Sequence, residues 1–88
     1  MDIPVYLKEI YDTIKSAYPD NISENEYFAI LHILYNDMCD ENLSLVMSLV
    51  TNKNSAEATN DIWKSCKMSF DKELLSKVEE KLMFLKGV

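Results

Sequence analysis

The side chain best suited to acid–base chemistry is His32, the only histidine in the chain. A histidine that acts as a general base usually has a second group, such as a carboxylate, that orients its ring. The residues three and four positions away, its neighbours on a helix, are Phe28, Ala29, Tyr35 and Asn36. None of these is a carboxylate. We therefore expect a structural or half-exposed histidine and no enzyme activity.

Metal and cofactor motifs are missing from the sequence as well. His32 and Cys39 lie seven residues apart, which matches no zinc-ligand spacing, and the acidic run 37–41 lacks the glycine and the ligand spacing of a calcium loop. Gly87 is the only glycine, which excludes the glycine-rich loops that bind dinucleotides and phosphates. We predict that the protein binds no metal and no cofactor.

Two further patterns have simpler explanations than chemistry. Glu24 and Glu26 fit a helix-capping turn better than a glycosidase pair, which would need a cleft. Ser44 precedes a leucine, as the prosthetic-group serine of acyl carrier proteins does, but Leu43 replaces the aspartate that should come before it. We expect Ser44 to be an ordinary helical serine that faces solvent.

The elements that would hold these side chains are helices, because apolar residues recur every three or four positions and no run alternates like a strand. The predicted helices cover 4–18, 24–38, about 40–50, a fourth segment from residue 55, and 70–86. We expect an all-α fold, a compact bundle of four or five short helices that forms one domain over residues 1–88. The wide apolar arc of the second helix predicts a central position, and the short loops predict antiparallel packing of sequence neighbours.

Capping residues indicate where the helices begin. Ser23 and Glu26 have the spacing of a capping box at the second helix. Asp40, Ser55 and Ser69 are the predicted N-terminal caps of the third, fourth and fifth helices.

Charge excludes several classes of partner. The 88 residues include fifteen Asp and Glu against nine basic residues, all of them lysine, for a net charge of −6. Such a chain repels phosphate backbones and anionic headgroups, so we expect neither a nucleic-acid nor a membrane partner. Charged residues interrupt the N-terminus, and no apolar run reaches the roughly 18 residues of a membrane span, which predicts a cytoplasmic protein. Cys39 and Cys66 are predicted to be reduced and partly buried.

The aromatic residues are five tyrosines, three phenylalanines and one tryptophan. Most should pack in the core, but tryptophan and tyrosine are also enriched at the binding hot spots of protein interfaces. Our candidate partner surface consists of Trp63, followed by Met83 and Phe84 near the C-terminus.

A longer pattern starts at the turn Tyr18-Pro19-Asp20, continues through the apolar positions of the middle helices, and closes with Leu75, Val78, Leu82 and Gly87. In this pattern, over about residues 10–88, the chain resembles a small family of uncharacterised, mainly actinobacterial helical proteins, a domain of unknown function known from mycobacteria. The resemblance implies a bacterial protein with about five helices. It implies no activity and no functional residues.

Together these patterns favour a non-enzymatic module that binds another protein, most readily a basic one. Association with a second copy of the chain stays an open alternative. A second hypothesis is a helical domain that binds a small molecule or an acyl chain, or an enzyme of unknown type, with a crevice between helices near His32, Cys39 and Trp63. A third is an acidic inhibitor that imitates DNA.

Overall fold

The computed structural model describes residues 4–82. Within these residues the chain forms five helices and no strand, which confirms the predicted all-α fold. The helices are α1 (Val5–Ala17), α2 (Glu24–Leu34), α3 (Asp40–Thr51), α4 (Ser55–Lys67) and α5 (Lys72–Lys81). The predictions for Met83, Phe84 and Gly87 lie outside the described residues.

The centre of the core is α2, as its wide apolar arc predicts. Seven of its eleven residues are buried: Tyr27, Phe28, Ala29, Ile30, Leu31, Ile33 and Leu34. This helix packs against both α4 and α5, while α3 joins α1 to α4. The other helices bury one face each, so α2 is the element around which they assemble.

The order of packing differs from the prediction. Extensive contacts join α3 to α4, α2 to α4, α1 to α3 and α2 to α5. Only α3 and α4 are sequence neighbours among these pairs. A three-residue turn connects them, and it includes Asn52 in the left-handed conformation with φ of 62°. Loops this short favour antiparallel pairs. The segments 18–23 and 35–39 are longer, and they allow α2 to pack against α4 and α5 instead of α1 and α3.

The predicted start of α2 is confirmed. The Ser23 hydroxyl accepts a hydrogen bond from the Glu26 backbone N–H (3.3 Å) and donates one to the Glu26 carboxylate (3.2 Å). The N-cap of α3, in contrast, is Cys39 rather than Asp40. Asp40 is the first helical residue, where its negative charge still favours the helix dipole.

The starts of α4 and α5 also differ from the prediction by one or two residues. The N-cap of α4 is Asn54, whose Oδ1 accepts from the Glu57 backbone N–H at 2.8 Å, and not Ser55. The N-cap of α5 is Asp71, which accepts from a backbone N–H two residues later, and not Ser69. Asparagine and aspartate cap helices as well as serine does. The conformation of the preceding loop therefore decides which of these residues occupies the N-cap position.

Helix α2 ends at Leu34, four residues before its predicted end. The Asp37 backbone N–H donates to the Leu34 carbonyl (2.9 Å). This bond spans three residues and not the four of an α-helix, which tightens the last turn. Asn36 and Asp37 favour turns over helix interiors, which explains the early end.

Two predictions of exposure are wrong. Ser44 is buried rather than facing solvent, and its hydroxyl donates to the Glu41 carbonyl of its own helix (3.0 Å). Ser48 in α3 is buried in the same way, and its hydroxyl donates to the Leu45 carbonyl (2.8 Å). Cys39 and Cys66 are exposed rather than partly buried, and both are free thiols. No helix within residues 4–82 has the length and apolar character to cross a membrane.

Candidate functional site

A buried polar cluster, which we call the closed cluster, joins Tyr27, Lys53 and Asp61. The Tyr27 hydroxyl donates to Asp61 Oδ2 at 2.8 Å, and the Lys53 ammonium contacts the same oxygen at 2.9 Å. The ammonium also lies 4.2 Å from the centre of the Tyr27 ring. Burial, followed by the bond to Asp61, raises the pKa of Tyr27, so its hydroxyl keeps its proton at neutral pH. Charge-assisted bonds therefore connect two helices, α2 and α4, and the turn that precedes α4.

A second cluster of similar chemistry, the open cluster, joins Tyr18, Glu26 and Lys81, with a glutamate in place of the aspartate. The Lys81 ammonium lies 4.4 Å from the Tyr18 ring centre and 3.5 Å from Glu26 Oε2. The Tyr18 hydroxyl and Glu26 Oε2 are both buried, yet neither has a hydrogen-bond partner within residues 4–82. A polar contact with the Tyr18 hydroxyl, too poorly aligned to count as a hydrogen bond, is nevertheless the main cause that lowers the pKa of Glu26, against the opposing effect of burial.

The two tyrosines of these clusters line one surface groove of about 510 Å³. Its walls are formed by the end of α1, the segment 18–23 and the first half of α2 on one side, and by the end of α3, the turn after it and the middle of α4 on the other. Its charged lining residues are Lys15, Lys53, Lys64, Asp20, Glu24 and Asp61. Three lysines therefore face three carboxylates, so the groove is balanced although the whole chain carries −6.

An exposed aromatic surface lies on another side of α4, and we define this α4 surface as Tyr35, Trp63 and Cys66. Trp63 is 57% exposed, and Cys66 is its neighbour one helical turn later. The Cys66 thiol is the main cause that raises the pKa of Tyr35, followed by the charge of Asp40, which places these groups side by side. The surface thus combines the end of α2 with the second half of α4.

The other predicted site residues are dispersed. His32 is exposed, and its ring lies 4.8 Å from that of Phe70 at a tilt of 37°. The groove is lined by none of His32, Cys39 and Trp63, the residues near which we expected a crevice. The described residues hold no group of three or more His, Cys, Asp and Glu side chains that could bind a metal ion.

The closed cluster was not singled out in the sequence. Tyr27 fits the apolar arc of α2, and Asp61 has no motif around it. One signal could have identified Asp61. It occupies the position before Ile62 and three after Ala58, both buried, so it lies on the buried face of α4 and needs a partner there.

Comparisons with known proteins identify no relative of this chain. No protein-family model matches the chain, and no curated protein or solved structure is significantly similar to it. The resemblance to the actinobacterial helical family therefore stays a prediction. The proposals below depend on the geometry of the groove and of the α4 surface.

Proposed function

We propose that this chain is a non-enzymatic module that binds a basic protein partner through the α4 surface. The exposure of Trp63 is the observation that carries the proposal. Tryptophan is the largest apolar side chain, and leaving more than half of it in water forgoes much of its burial energy. The same residue is among the commonest hot spots of protein interfaces.

The surroundings of Trp63 support an interface rather than an isolated exposed residue. The Cys66 thiol and the Tyr35 ring extend the apolar area across to α2. Met68, which follows the last residue of α4, is exposed as well. Several exposed apolar side chains on or next to one helix are typical of a binding surface.

Charge supports a basic partner. The chain carries a net charge of −6, and three acidic residues follow Tyr35 closely in sequence: Asp37 in the segment between α2 and α3, and Asp40 and Glu41 in the first turn of α3. Complementary charge speeds association and excludes acidic competitors. We place the interaction in the cytoplasm, because exposed free thiols such as Cys39 and Cys66 persist in a reducing compartment.

The first test is site-specific photo-crosslinking in the organism that produces the protein. A photoreactive amino acid replaces Trp63 in one variant and Ser76, an exposed residue of α5, in the control. We expect one defined partner with a basic surface at position 63 and not at position 76. A product of twice the chain mass would instead identify a second copy of the chain, and equal labelling from both positions would contradict the proposal.

The second test measures the affinity of the crosslinked partner for purified variants. Trp63→Ala should weaken binding by about 30-fold or more, as expected for a hot-spot residue worth about 2 kcal/mol. Tyr6→Ala removes another exposed aromatic ring, on α1, and should leave the affinity unchanged. Both variants should keep the far-ultraviolet circular dichroism of the parent. Equal affinity of the Trp63→Ala variant and the parent would refute the proposed surface.

A further inference from the structure

We propose that the groove beside the closed cluster binds a small zwitterion of the free amino acid class, with its ammonium on Asp61 and its carboxylate on Lys64. This inference does not depend on the α4 surface. Lys64 and Cys66 are two residues apart in α4, so they point about 200° away from each other. The groove and the partner surface therefore lie on opposite sides of this helix.

The ammonium end of the site is Asp61. Its side chain is nearly buried, and both of its hydrogen bonds, from Tyr27 and from Lys53, fall on Oδ2. An ionised carboxylate can accept about four hydrogen bonds. Within residues 4–82 no donor contacts Oδ1, so this oxygen is available to a ligand in the groove. The Lys53 ammonium already pairs with Asp61 through Oδ2, so a ligand ammonium shares this carboxylate with it through Oδ1.

The carboxylate end of the site is Lys64. Residues three apart on a helix have Cβ atoms about 5–6 Å apart, so Lys64 presents a positive group one turn away from Asp61. Among residues 4–82, Lys64 pairs with no carboxylate, and Lys15 across the groove pairs with none either. A free amino acid carries its two opposite charges only a few bonds apart, which suits this short spacing.

Size and charge balance favour a zwitterion over a simple ion. The groove of about 510 Å³ lies within the roughly 300–1,000 Å³ of small-molecule sites. Its lining has three lysines and three carboxylates, so a simple cation would be attracted by the carboxylates and repelled by the lysines. A simple anion would meet the reverse. Asp20 and Glu24 on the rim offset the added charge of a ligand ammonium next to Lys53. A molecule that carries both charges complements both halves.

The proposal is tested by nuclear magnetic resonance titration of the full chain. The probes are L-leucine, L-glutamine, L-glutamate and L-lysine, with acetate and methylammonium as the two half-molecules. We expect at least one amino acid to shift the amide signals of the groove residues along a saturating curve, while neither half-molecule saturates. No saturation by any of the amino acids would overturn the proposal. Saturation by acetate or by methylammonium alone, at the same affinity, would overturn it too.

A matched pair of lysine variants tests the assigned contact. Lys64→Ala should weaken the amino acid by about tenfold or more, the loss of one charge-assisted bond. Lys67→Ala removes another exposed lysine from the last turn of α4, outside the groove, and should change nothing. Both side chains are exposed, so both variants should fold. Equal affinities of the two variants would refute the assignment of Lys64.

Asp61→Asn tests the other end with the shape of the side chain kept. We expect loss of amino acid binding in a variant whose amide spectrum outside the groove matches that of the parent. Full binding by this variant would refute the ammonium contact. If the variant does not fold, the Lys64→Ala and Lys67→Ala pair still decides the proposal.

Discussion

The closed and open clusters each combine a tyrosine, a lysine and a carboxylate, aspartate in one and glutamate in the other, and their geometry separates them. In both, a lysine ammonium lies 4.2–4.4 Å from the centre of a buried tyrosine ring and pairs with a carboxylate. In the closed cluster the Tyr27 hydroxyl bonds directly to Asp61 at 2.8 Å. In the open cluster no well-aligned hydrogen bond within residues 4–82 reaches the Tyr18 hydroxyl or Glu26 Oε2, and Oε2 has only the ion pair with Lys81 at 3.5 Å.

This difference predicts that similar composition does not make the two clusters equally stabilising. A buried hydroxyl that is hydrogen-bonded contributes to stability, whereas a buried hydroxyl without a hydrogen bond retains the cost of its desolvation. The closed cluster should therefore be a rigid floor for the groove, and the open cluster a weaker link between α1, α2 and α5. Four substitutions separate these two roles.

The largest effect is expected from Asp61→Ala. This change leaves the buried Tyr27 hydroxyl and the partly exposed Lys53 ammonium without their acceptor, so the free energy of unfolding should fall by about 3 kcal/mol. Urea denaturation followed by circular dichroism measures it. Asp61→Asn, which keeps an oxygen acceptor, should lose less. A loss below about 1 kcal/mol for Asp61→Ala would show that the cluster is not closed in solution.

Tyr27→Phe should have the next largest effect. It removes only the hydroxyl, while the ring stays buried beneath Lys53. A hydrogen bond to a charged group is worth about 1.5–3 kcal/mol, and we expect a loss in that range from chemical denaturation. An unchanged midpoint would contradict the bond to Asp61.

Glu26→Gln removes the attraction between the Glu26 carboxylate and the ammonium groups of Lys77 and Lys81, so the free energy of unfolding at pH 7 should fall. The loss should be only about 1 kcal/mol, because both lysines are exposed and water screens the attraction. The fold lowers the pKa of Glu26 below its ordinary value of 4.5, mainly through the Tyr18 hydroxyl. A carboxylate with a lowered pKa stabilises the fold above its unfolded pKa, and this contribution is lost as the pH falls through the folded pKa. The difference between the parent and Glu26→Gln should therefore narrow below about pH 4.5. If the difference in unfolding free energy between the parent and Glu26→Gln grew as the pH fell, the pKa of Glu26 would be raised by folding and not lowered.

Tyr18→Phe should have the smallest effect, a change of less than about 1 kcal/mol in either direction. The variant removes a buried hydroxyl that has no hydrogen bond, which favours folding, and also removes a dipole that stabilises ionised Glu26, which opposes it. Thermal unfolding of this variant beside Tyr27→Phe makes the comparison directly. A loss as large as that of Tyr27→Phe would mean that the open cluster is in fact bonded.

The fold was largely predictable because its determinants are local. The helical period of the apolar residues identified all five helices, and the box at Ser23 placed the start of α2 correctly. The choice between adjacent capping residues, such as Asn54 and Ser55, was not predictable. Both types cap well, and the loop conformation decides between them.

The candidate sites were less predictable because they depend on contacts between distant residues. Trp63 could be proposed from its residue type, and the structure places it on the surface. Tyr27 and Asp61 are 34 residues apart, and nothing local indicates that they meet. The packing of α2 against α4, rather than against its sequence neighbours, brings them together.

The groove and its proposed ligand depend on a closed cluster around Asp61, and a pair of double-mutant cycles tests this claim most directly. One cycle combines Tyr27→Phe with Asp61→Ala, and the other combines Tyr18→Phe with Glu26→Ala. We predict a coupling energy of about 2 kcal/mol in the first cycle and less than about 1 kcal/mol in the second. Equal coupling energies, or a larger one between Tyr18 and Glu26, would contradict the distinction between the two clusters.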